Sequence, residues 1–210
     1  MSGIRSGGKR AGEPPRGAAA RPGRAYPWGV RPPQPLFDFA DPARSGGFAP
    51  VDDVVMGGRS SSRALVQERT LRFEGQVSLE AGGGFASIRS APARFDLGGA
   101  QGLALRVRGD GRRYKVNLRC DDALDGITWQ AAFQTSTGGW EVVLLPLHRF
   151  EPVIRGRPAP EAGPLRPSTI RTVGLLISDR QAGPFRLEIS SLAGYAVVGD
   201  AVPLPRPASP

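Results

Sequence analysis

Hydrophobic and polar residues alternate along several short stretches of this chain, as they do in β-strands that bury one face. Between residues 71 and 80, the apolar side is formed by Leu71, Phe73, Val77 and Leu79, and the polar side by Arg72, Glu74, Gln76, Ser78 and Glu80. The same alternation recurs in residues 103–108, 113–120 and 127–134, and further apolar runs occupy residues 140–147, 172–178 and 185–192. The pattern predicts eight or more short strands.

Turn-forming residues between these stretches predict how the strands pair. Asp110-Gly111 separates residues 103–108 from 113–120 and indicates a hairpin. A second hairpin is expected through Ser-Thr-Gly-Gly at residues 136–139. Residues 179–184 separate the last two strands and indicate either a third hairpin or a turn that crosses between sheets.

The composition favours an all-β fold. The 210-residue chain contains 29 Gly and 21 Pro, which interrupt it too often for long helices, and no stretch shows a helical period. A chain of this length is expected to form one domain. We predict a two-sheet antiparallel sandwich of the jelly-roll type rather than a closed barrel, and the sequence leaves the strand order open.

Two tails are expected to flank the domain. Residues 1–35 hold seven Pro and seven Gly and few aliphatic residues, a composition that predicts disorder. Residues 199–210 carry four Pro and are expected to be an extended tail. The predicted sandwich therefore spans residues 36–198.

The distribution of charge argues against nucleic-acid binding by the domain. Of the formal net charge of +9, residues 1–35 contribute +6, from seven basic residues and one acid, whereas residues 36–198 contribute +3. A folded nucleic-acid binder usually concentrates positive charge on one face of its domain. The basic tail is expected to be a solvated arm, with weak attachment to phosphates or anionic lipid as the alternative.

Targeting signals and cysteines are sparse. Cys120 is the only cysteine, so an intrachain disulfide is impossible, and it is expected to act as a small buried hydrophobe. The chain has no apolar run near 18 residues, and its N-terminus lacks the apolar middle of a secretory signal. These features predict a cytoplasmic protein.

Four segments together resemble the complex I intermediate-associated protein 30 family. They are the signature-like residues 52–62 (DDVVMGGRSSS), residues 73–90 with Gly-Gly-Gly-Phe-Ala-Ser, residues 108–119, and residues 129–157 continuing into 174–192. The resemblance implies a galactose-binding-like β-sandwich and a role as an assembly factor, since the best-known members serve mitochondrial respiratory complex I. Many relatives are bacterial, and the predominance of Arg over Lys suits a bacterial host; in a eukaryote the implied location is mitochondrial.

The matching segments supply the candidate site residues, which are expected either to lock the loops or to meet a partner. They are Asp53, Met56, Gly57, Gly58, Ser60, Gly84, Phe85, Ser87, Arg89, Arg108, Asp110, Arg155 and Gly156. The glycine runs at 57–58 and 82–84 lack the context of a phosphate-binding loop. Turns with positive φ are the favoured interpretation.

Catalytic chemistry is not predicted. His148 is the only histidine, and no nucleophile elbow is present. A carboxylate pair such as Asp110 with Glu141 is the remaining enzymatic alternative. The acidic cluster Asp121, Asp122 and Asp125 lacks the spacing of a calcium loop, so an exposed turn is favoured over a cation site. We predict no cofactor and no metal.

A row of outward polar residues offers a possible binding face. Its members are Arg106, Arg108, Arg113, Lys115, Asn117, Arg119, Gln130 and Gln134, which are expected to share one sheet face. Such donors suit carboxylates, phosphates or sugar hydroxyls, and a merely solvated face is the alternative.

The predicted function is that of a non-enzymatic binding or assembly module with a protein partner, among which respiratory-complex subunits are candidates. A carbohydrate-binding module is the alternative. It ranks second because Trp129, Trp140 and Tyr114 are expected to face the core and to leave few rings for sugar stacking.

Overall fold

The computed structural model describes residues 30–122 and 126–197. Within these ranges the chain forms thirteen strands linked by loops and short 3-10 turns. The strands are β1 Val30–Asp38, β2 Phe48–Pro50, β3 Ser61–Gln67, β4 Thr70–Val77, β5 Ala86–Ser90, β6 Gly102–Arg108, β7 Arg113–Arg119, β8 Thr128–Gln134, β9 Glu141–Pro146, β10 Glu151–Ile154, β11 Arg157–Pro158, β12 Thr172–Ile177 and β13 Gly183–Val197. The described residues include no helix that could span a bilayer.

The strands form two antiparallel sheets. Sheet I has the order β3-β4-β13-β6-β9, with β1 also paired to β13, and sheet II has the order β11-β10-β8-β7-β12-β5-β2. This architecture confirms the predicted all-β sandwich. Neighbours in the sheets are mostly distant in sequence, so the fold depends on long-range pairing.

Alternate residues of both sheets form one apolar core. Leu71, Phe73 and Val77 of β4 are buried in it, as their spacing predicted. The ring centroids of Phe73 and Phe185 lie 4.8 Å apart in an edge-on arrangement, and the Tyr114 ring packs against both. Aromatic packing of this kind joins the sheets across the sandwich.

The two hairpins predicted at Asp110-Gly111 and at residues 136–139 are wrong. β6 belongs to sheet I and β7 to sheet II, and the next connection returns from β8 in sheet II to β9 in sheet I. The last turn also crosses between sheets, from β12 to β13, which was one of its two predicted forms. A turn motif ends a strand, but it does not determine whether the next strand pairs with its neighbour or passes to the opposite sheet.

True hairpins form elsewhere. β3 and β4 are joined by Glu68 and Arg69, which have φ angles of 49° and 63°. Two consecutive residues with positive φ match the twist of a tight hairpin. Neither residue is a glycine, so this turn carries no signal that could be recognised before the structure.

The first strand begins at Val30, six residues before the predicted domain boundary at 36. β1 pairs with β13 from Val30 opposite Val197 to Asp38 opposite Ser191, with register shifts on either side of Gln34-Pro35. Prolines lack the amide hydrogen of a regular ladder and are confined to edges and bulges, so their density concealed the strand. Residues 1–29 and 198–210 lie outside the described residues.

Truncation of the N-terminus should show whether the stable domain begins at the predicted boundary, residue 36, or at the start of β1, residue 30. A chain lacking residues 1–35 loses the backbone pairs from Val30 to Pro35 and should melt several degrees lower than a chain lacking residues 1–29. Thermal unfolding of the two proteins followed by circular dichroism measures the difference. Equal melting temperatures would show that the first six residues of β1 add no stability.

Candidate functional site

The signature segment is organised around the buried carboxylate of Asp53, which is 1% exposed. Asp53 starts the 3-10 turn Asp53–Met56. It accepts hydrogen bonds from Ser60 N at 2.9 Å, Ser60 Oγ at 2.6 Å, Gly84 N at 2.7 Å and Phe85 N at 3.2 Å. These four residues, here called the Asp53 cluster, tie the signature segment to the glycine-rich loop before β5.

The charge of Asp53 is retained by these donors. Burial raises the pKa of the carboxyl, but the bonds from Ser60, Gly84 and Phe85 outweigh burial and hold the pKa below its ordinary value. All four donors favour the ionised form. The cluster is therefore built around a carboxylate anion.

The neighbouring Asp52 forms a second junction that the sequence analysis missed. Its carboxylate accepts from Ser62 N and Ser62 Oγ, both at 2.7 Å, and from Ser87 N at 3.0 Å. The Ser87 hydroxyl donates in turn to the carbonyl of Val51. The signal lay in the sequence, because the consecutive aspartates are followed by serines that each of them binds.

The glycines around this cluster serve two different purposes. Gly57 has φ 89°, as predicted for a turn, and its amide donates to Val54 O at 3.0 Å. Positive φ is the wrong explanation for Gly58 and Gly83. A β-carbon at Gly58 would overlap the Asp53 carboxyl, and one at Gly83 would lie 2.7 Å from Asp53 Oδ2. These two positions exclude side chains because the backbone approaches the carboxylate closely.

The other candidates in these loops have simpler positions. Gly84 has φ 147°, in the region that favours glycine. Phe85 is half-buried and joins the cluster through its backbone. Met56 ends the 3-10 turn, and its side chain lies outside the described part of the structure.

Asp110 stabilises the crossing from β6 to β7. Its carboxylate accepts from Tyr114 Oη at 3.0 Å, Arg112 N at 3.1 Å and Arg186 N at 2.8 Å. Burial, followed by the charge of Asp110, raises the pKa of Tyr114. Glu141 stabilises a different turn, the one before β9, where its carboxylate accepts a hydrogen bond from Ser136 N at 2.7 Å. Both acids of the enzymatic alternative therefore hold turns.

The predicted polar row is divided between the two sheets, so its assignment to one face is wrong. Arg106 and Arg108 lie on β6 of sheet I, where their guanidinium carbons stand 4.8 Å and 5.3 Å from the Trp140 ring centroid. Trp140 is half-buried beneath them, and its predicted place in the core is wrong, whereas Trp129 and Tyr114 are buried as expected. The division follows directly from the sheet crossing after β6.

A charge network occupies the outer face of sheet I. Glu188 is 2% exposed and forms ion pairs with Arg72, Arg108 and Arg186. Burial raises its pKa, but hydrogen bonds from Arg186 and Arg108 lower the pKa overall. Arg108 is thus engaged with Glu188 and Trp140 and is not a free contact residue.

The outer face of sheet II carries the rest of the row. In register across four strands lie Arg89 on β5, Gly174 on β12, Asn117 on β7 and Gln130 on β8. These four residues are here called the Arg89 row, which continues to Glu151 on β10. The sequence analysis placed Asn117 and Gln130 in the predicted polar row and named Arg89 only as a loop candidate. It missed Gly174 and the position of Arg89 because β12 enters between β5 and β7 only in the folded sheet.

Acidic loops accompany the other cations of this face. Lys115 Nζ lies 2.7 Å from Asp179 Oδ1, and Arg113 Nε lies 3.7 Å from Asp179 Oδ2. Arg119 pairs with Asp121 at 3.3 Å. At the edge of the same sheet, Arg155 and Gly156 form the exposed turn between β10 and β11, with φ angles of 49° and 75°.

The complex I intermediate-associated protein 30 (CIA30) family model matches residues 37–189. The chain belongs to this family. It is 37% identical over 97 residues to the mouse mitochondrial complex I intermediate-associated protein 30, covering 44% of this chain and 30% of the mouse protein. It is 30% identical over 139 residues to the Neurospora crassa mitochondrial protein of the same name, covering 58% and 50% of the two chains. The matches thus span half or less of the curated relatives.

Solved structures resemble this CIA30 family member in fold. A family 11 carbohydrate-binding module of the Clostridium thermocellum cellulase Lic26A-Cel5E superposes with a TM-score of 0.58 at 12% identity, covering 80% of this chain and 97% of the module. An agarase superposes with a TM-score of 0.53 at 16% identity, covering 81% and 25% of the two chains. At these identities the likeness describes the architecture alone.

The remaining candidate chemistry in this family member is dispersed. His148 is exposed in a 3-10 turn. Cys120 packs against the core but is half-buried rather than buried as predicted. Asp121 and Asp122 are exposed and pair with Arg119 and Arg171, while Asp125 lies outside the described residues. Among the described residues no group of three His, Cys, Asp or Glu side chains is placed to hold a metal ion.

Proposed function

We propose that this CIA30 family member is a non-enzymatic binding module that holds a protein partner on the outer face of sheet II during assembly of a multi-subunit complex. The observation that carries the proposal is the charge of the four central strands β5, β12, β7 and β8. They contain the cations Arg89, Arg113, Lys115 and Arg119 and no aspartate or glutamate. The strands themselves carry only positive charge. Aspartates of the adjoining loops pair with three of these four cations, so Arg89 is the one left to attract an acidic partner.

The names of the curated relatives suggest which partners to test first. These relatives are named as mitochondrial complex I intermediate-associated proteins. Complex I intermediates are therefore the first candidate partners. In a eukaryotic host the proposed location is the mitochondrion, and in a bacterial host it is the cytoplasm. Arg155 at the sheet edge is proposed as a peripheral contact.

Carbohydrate binding is the second candidate. It is favoured by the tetrasaccharide-bound family 11 module of Clostridium thermocellum, which superposes with a TM-score of 0.51 at 13% identity. The superposition covers 70% of this chain and 88% of the module. Sugar sites commonly stack a ring on an aromatic side chain. The aromatic residues of the four central strands, Tyr114, Trp129 and Phe133, are all buried in the core. Trp140 on sheet I lies under Arg106 and Arg108. Both observations rank a sugar below a protein partner.

Site-specific photocrosslinking tests the proposed function. A photoreactive amino acid replaces exposed Ala132 on the outer face of sheet II, and the matched control replaces exposed Gln67 on sheet I. We expect a discrete protein crosslink from position 132 and none from position 67 in the native host, with the partner identified by mass spectrometry. Crosslinks only from position 67, or saturable binding of a mixed-linkage glucan tetrasaccharide, would contradict the proposal.

A further inference from the structure

Arg89 differs from the other cations of the four central strands β5, β12, β7 and β8 in being uncommitted. Among the described residues, Arg113, Lys115 and Arg119 are each paired with an aspartate, whereas the Arg89 guanidinium has no hydrogen bond or ion pair. Burial and then the nearby charge of Arg119 lower the pKa of Arg89, and Asp121 offsets this in part. A half-buried arginine without a counter-ion is unfavourable by itself and is relieved by an anion.

Gly174 leaves space beside this arginine. It is paired directly with Arg89 on one side and Asn117 on the other. A β-carbon there would lie 2.9 Å from Ile88 O, 3.4 Å from Asn117 Cβ and 3.9 Å from Arg89 Cα. A side chain at this position would therefore separate Arg89 from Asn117. Glycine therefore leaves no side chain between them at this buried position.

Asn117 supplies a second unsatisfied group on the far side of Gly174. Its Oδ1 is buried and has no hydrogen-bond partner. Such acceptors are rare in native proteins. Turning the amide toward a ligand N–H relieves the defect, and Gln130 lies next in the row with a further amide.

We propose that the Arg89 row binds an acidic segment of the partner protein, with a Glu or Asp carboxylate on Arg89 and a peptide N–H on Asn117. One uncommitted positive charge matches the single charge of a carboxylate, and the guanidinium fork matches its two oxygens. The unpaired acceptor of Asn117 requires a ligand that also donates, as a peptide does and a phosphate dianion does not. Glu151 at the end of the row lies four strands from Arg89, roughly 19 Å at the usual strand spacing, and does not oppose binding.

The inference rests on the proposed function for the identity of the partner, but the subsite can be tested without that partner. The probe is a capped hexapeptide of sequence GSEESG, and its matched control is GSQQSG. Binding to the full chain is followed by NMR through backbone amide signals and the side-chain signals of Arg89 and Asn117. We expect saturable shifts centred on Arg89, Gly174 and Asn117 with the acidic peptide and none with the neutral one.

Variants assign the binding to Arg89. R89Q is expected to weaken the acidic peptide about tenfold, because a hydrogen bond between charged groups is lost, and R89K should give an intermediate loss. The charge-matched control is R63Q on sheet I, where exposed Arg63 pairs with Glu74; it should bind like the parent protein. Melting temperatures establish that each variant is folded.

Three results would overturn the subsite. They are acidic-peptide shifts that centre elsewhere or do not saturate, equal binding by R89Q and the parent protein, and stronger shifts of the same signals by inorganic phosphate than by the peptide. Crosslinking at position 132 and peptide binding at Arg89 are separate measurements. A failure of either one therefore shows which of the two proposals is wrong.

Discussion

Replacing Asp53 by alanine is expected to destabilise the sandwich by about 4 kcal/mol. The substitution removes one buried acceptor, 1% exposed, from four donors, Ser60 N, Ser60 Oγ, Gly84 N and Phe85 N. Because buried donors are left unsatisfied and bonds to a charged acceptor are lost, the expected loss of stability is larger than that of most point mutations. Urea unfolding followed by circular dichroism measures the loss.

Asp41→Ala is the matched control. Asp41 is an exposed cap that accepts from Ala43 N at 3.0 Å, so its loss should remove only about 1 kcal/mol. If the Asp53 and Asp41 variants lose equal stability, Asp53 does not organise the loops in the way its bonds indicate.

The same cluster makes stability depend on acid. Because the pKa of Asp53 in the folded protein lies below its ordinary value of 3.8, the folded state holds this proton less tightly than the unfolded chain does. The stabilisation is therefore complete above the ordinary pKa and is lost as the pH falls through the folded value. The free energy of unfolding should fall less steeply below pH 4 in Asp53→Ala than in the parent protein, with Asp179 and Glu188, whose pKa values are also lowered, accounting for the remaining slope.

Replacing Gly58 by valine is expected to unfold the domain. A β-carbon at Gly58 would lie 2.9 Å from Asp53 Cβ and would overlap its carboxyl group, so the signature segment must move and break the Asp53 cluster. Valine adds two methyl groups to this overlap. The Gly58→Val variant should lose at least as much stability as Asp53→Ala. Near- and far-ultraviolet circular dichroism of the purified variant measures the loss.

Gly57→Ala separates a clash from backbone strain. Gly57 has φ 89° with nothing within 4 Å of an added β-carbon, so only the left-handed conformation opposes alanine, at about 1–2 kcal/mol. If Gly57→Ala destabilises the domain as much as Gly58→Val, conformation rather than contact with Asp53 explains both glycines. A double variant with Gly58→Ala and Asp53→Ala should lose less stability than the sum of the two single variants, because the Asp53 carboxyl that clashes with the new β-carbon is then absent.

The candidate site was predictable where its residues are close in sequence and unpredictable where strands brought them together. Asp53 and Ser60 are seven residues apart, and short polar groups in a glycine-containing segment indicated turn contacts. The Arg89 row draws its members from residues 89, 117, 130 and 174, and it depends on the insertion of β12 between β5 and β7. Sequence spacing holds no information about that insertion.

The sequence by itself determined the strands and the inward residues, because a strand alternates its side chains on opposite faces whatever it pairs with. Leu71, Phe73 and Tyr114 could therefore be placed in the core before any partner was known. Only the tertiary structure decided that β6 and β7 belong to opposite sheets, that Trp140 lies beneath two arginines, and that Arg89 lies in register with Asn117. Each of these depends on which distant strands share backbone hydrogen bonds, and alternation is the same for every choice of partner.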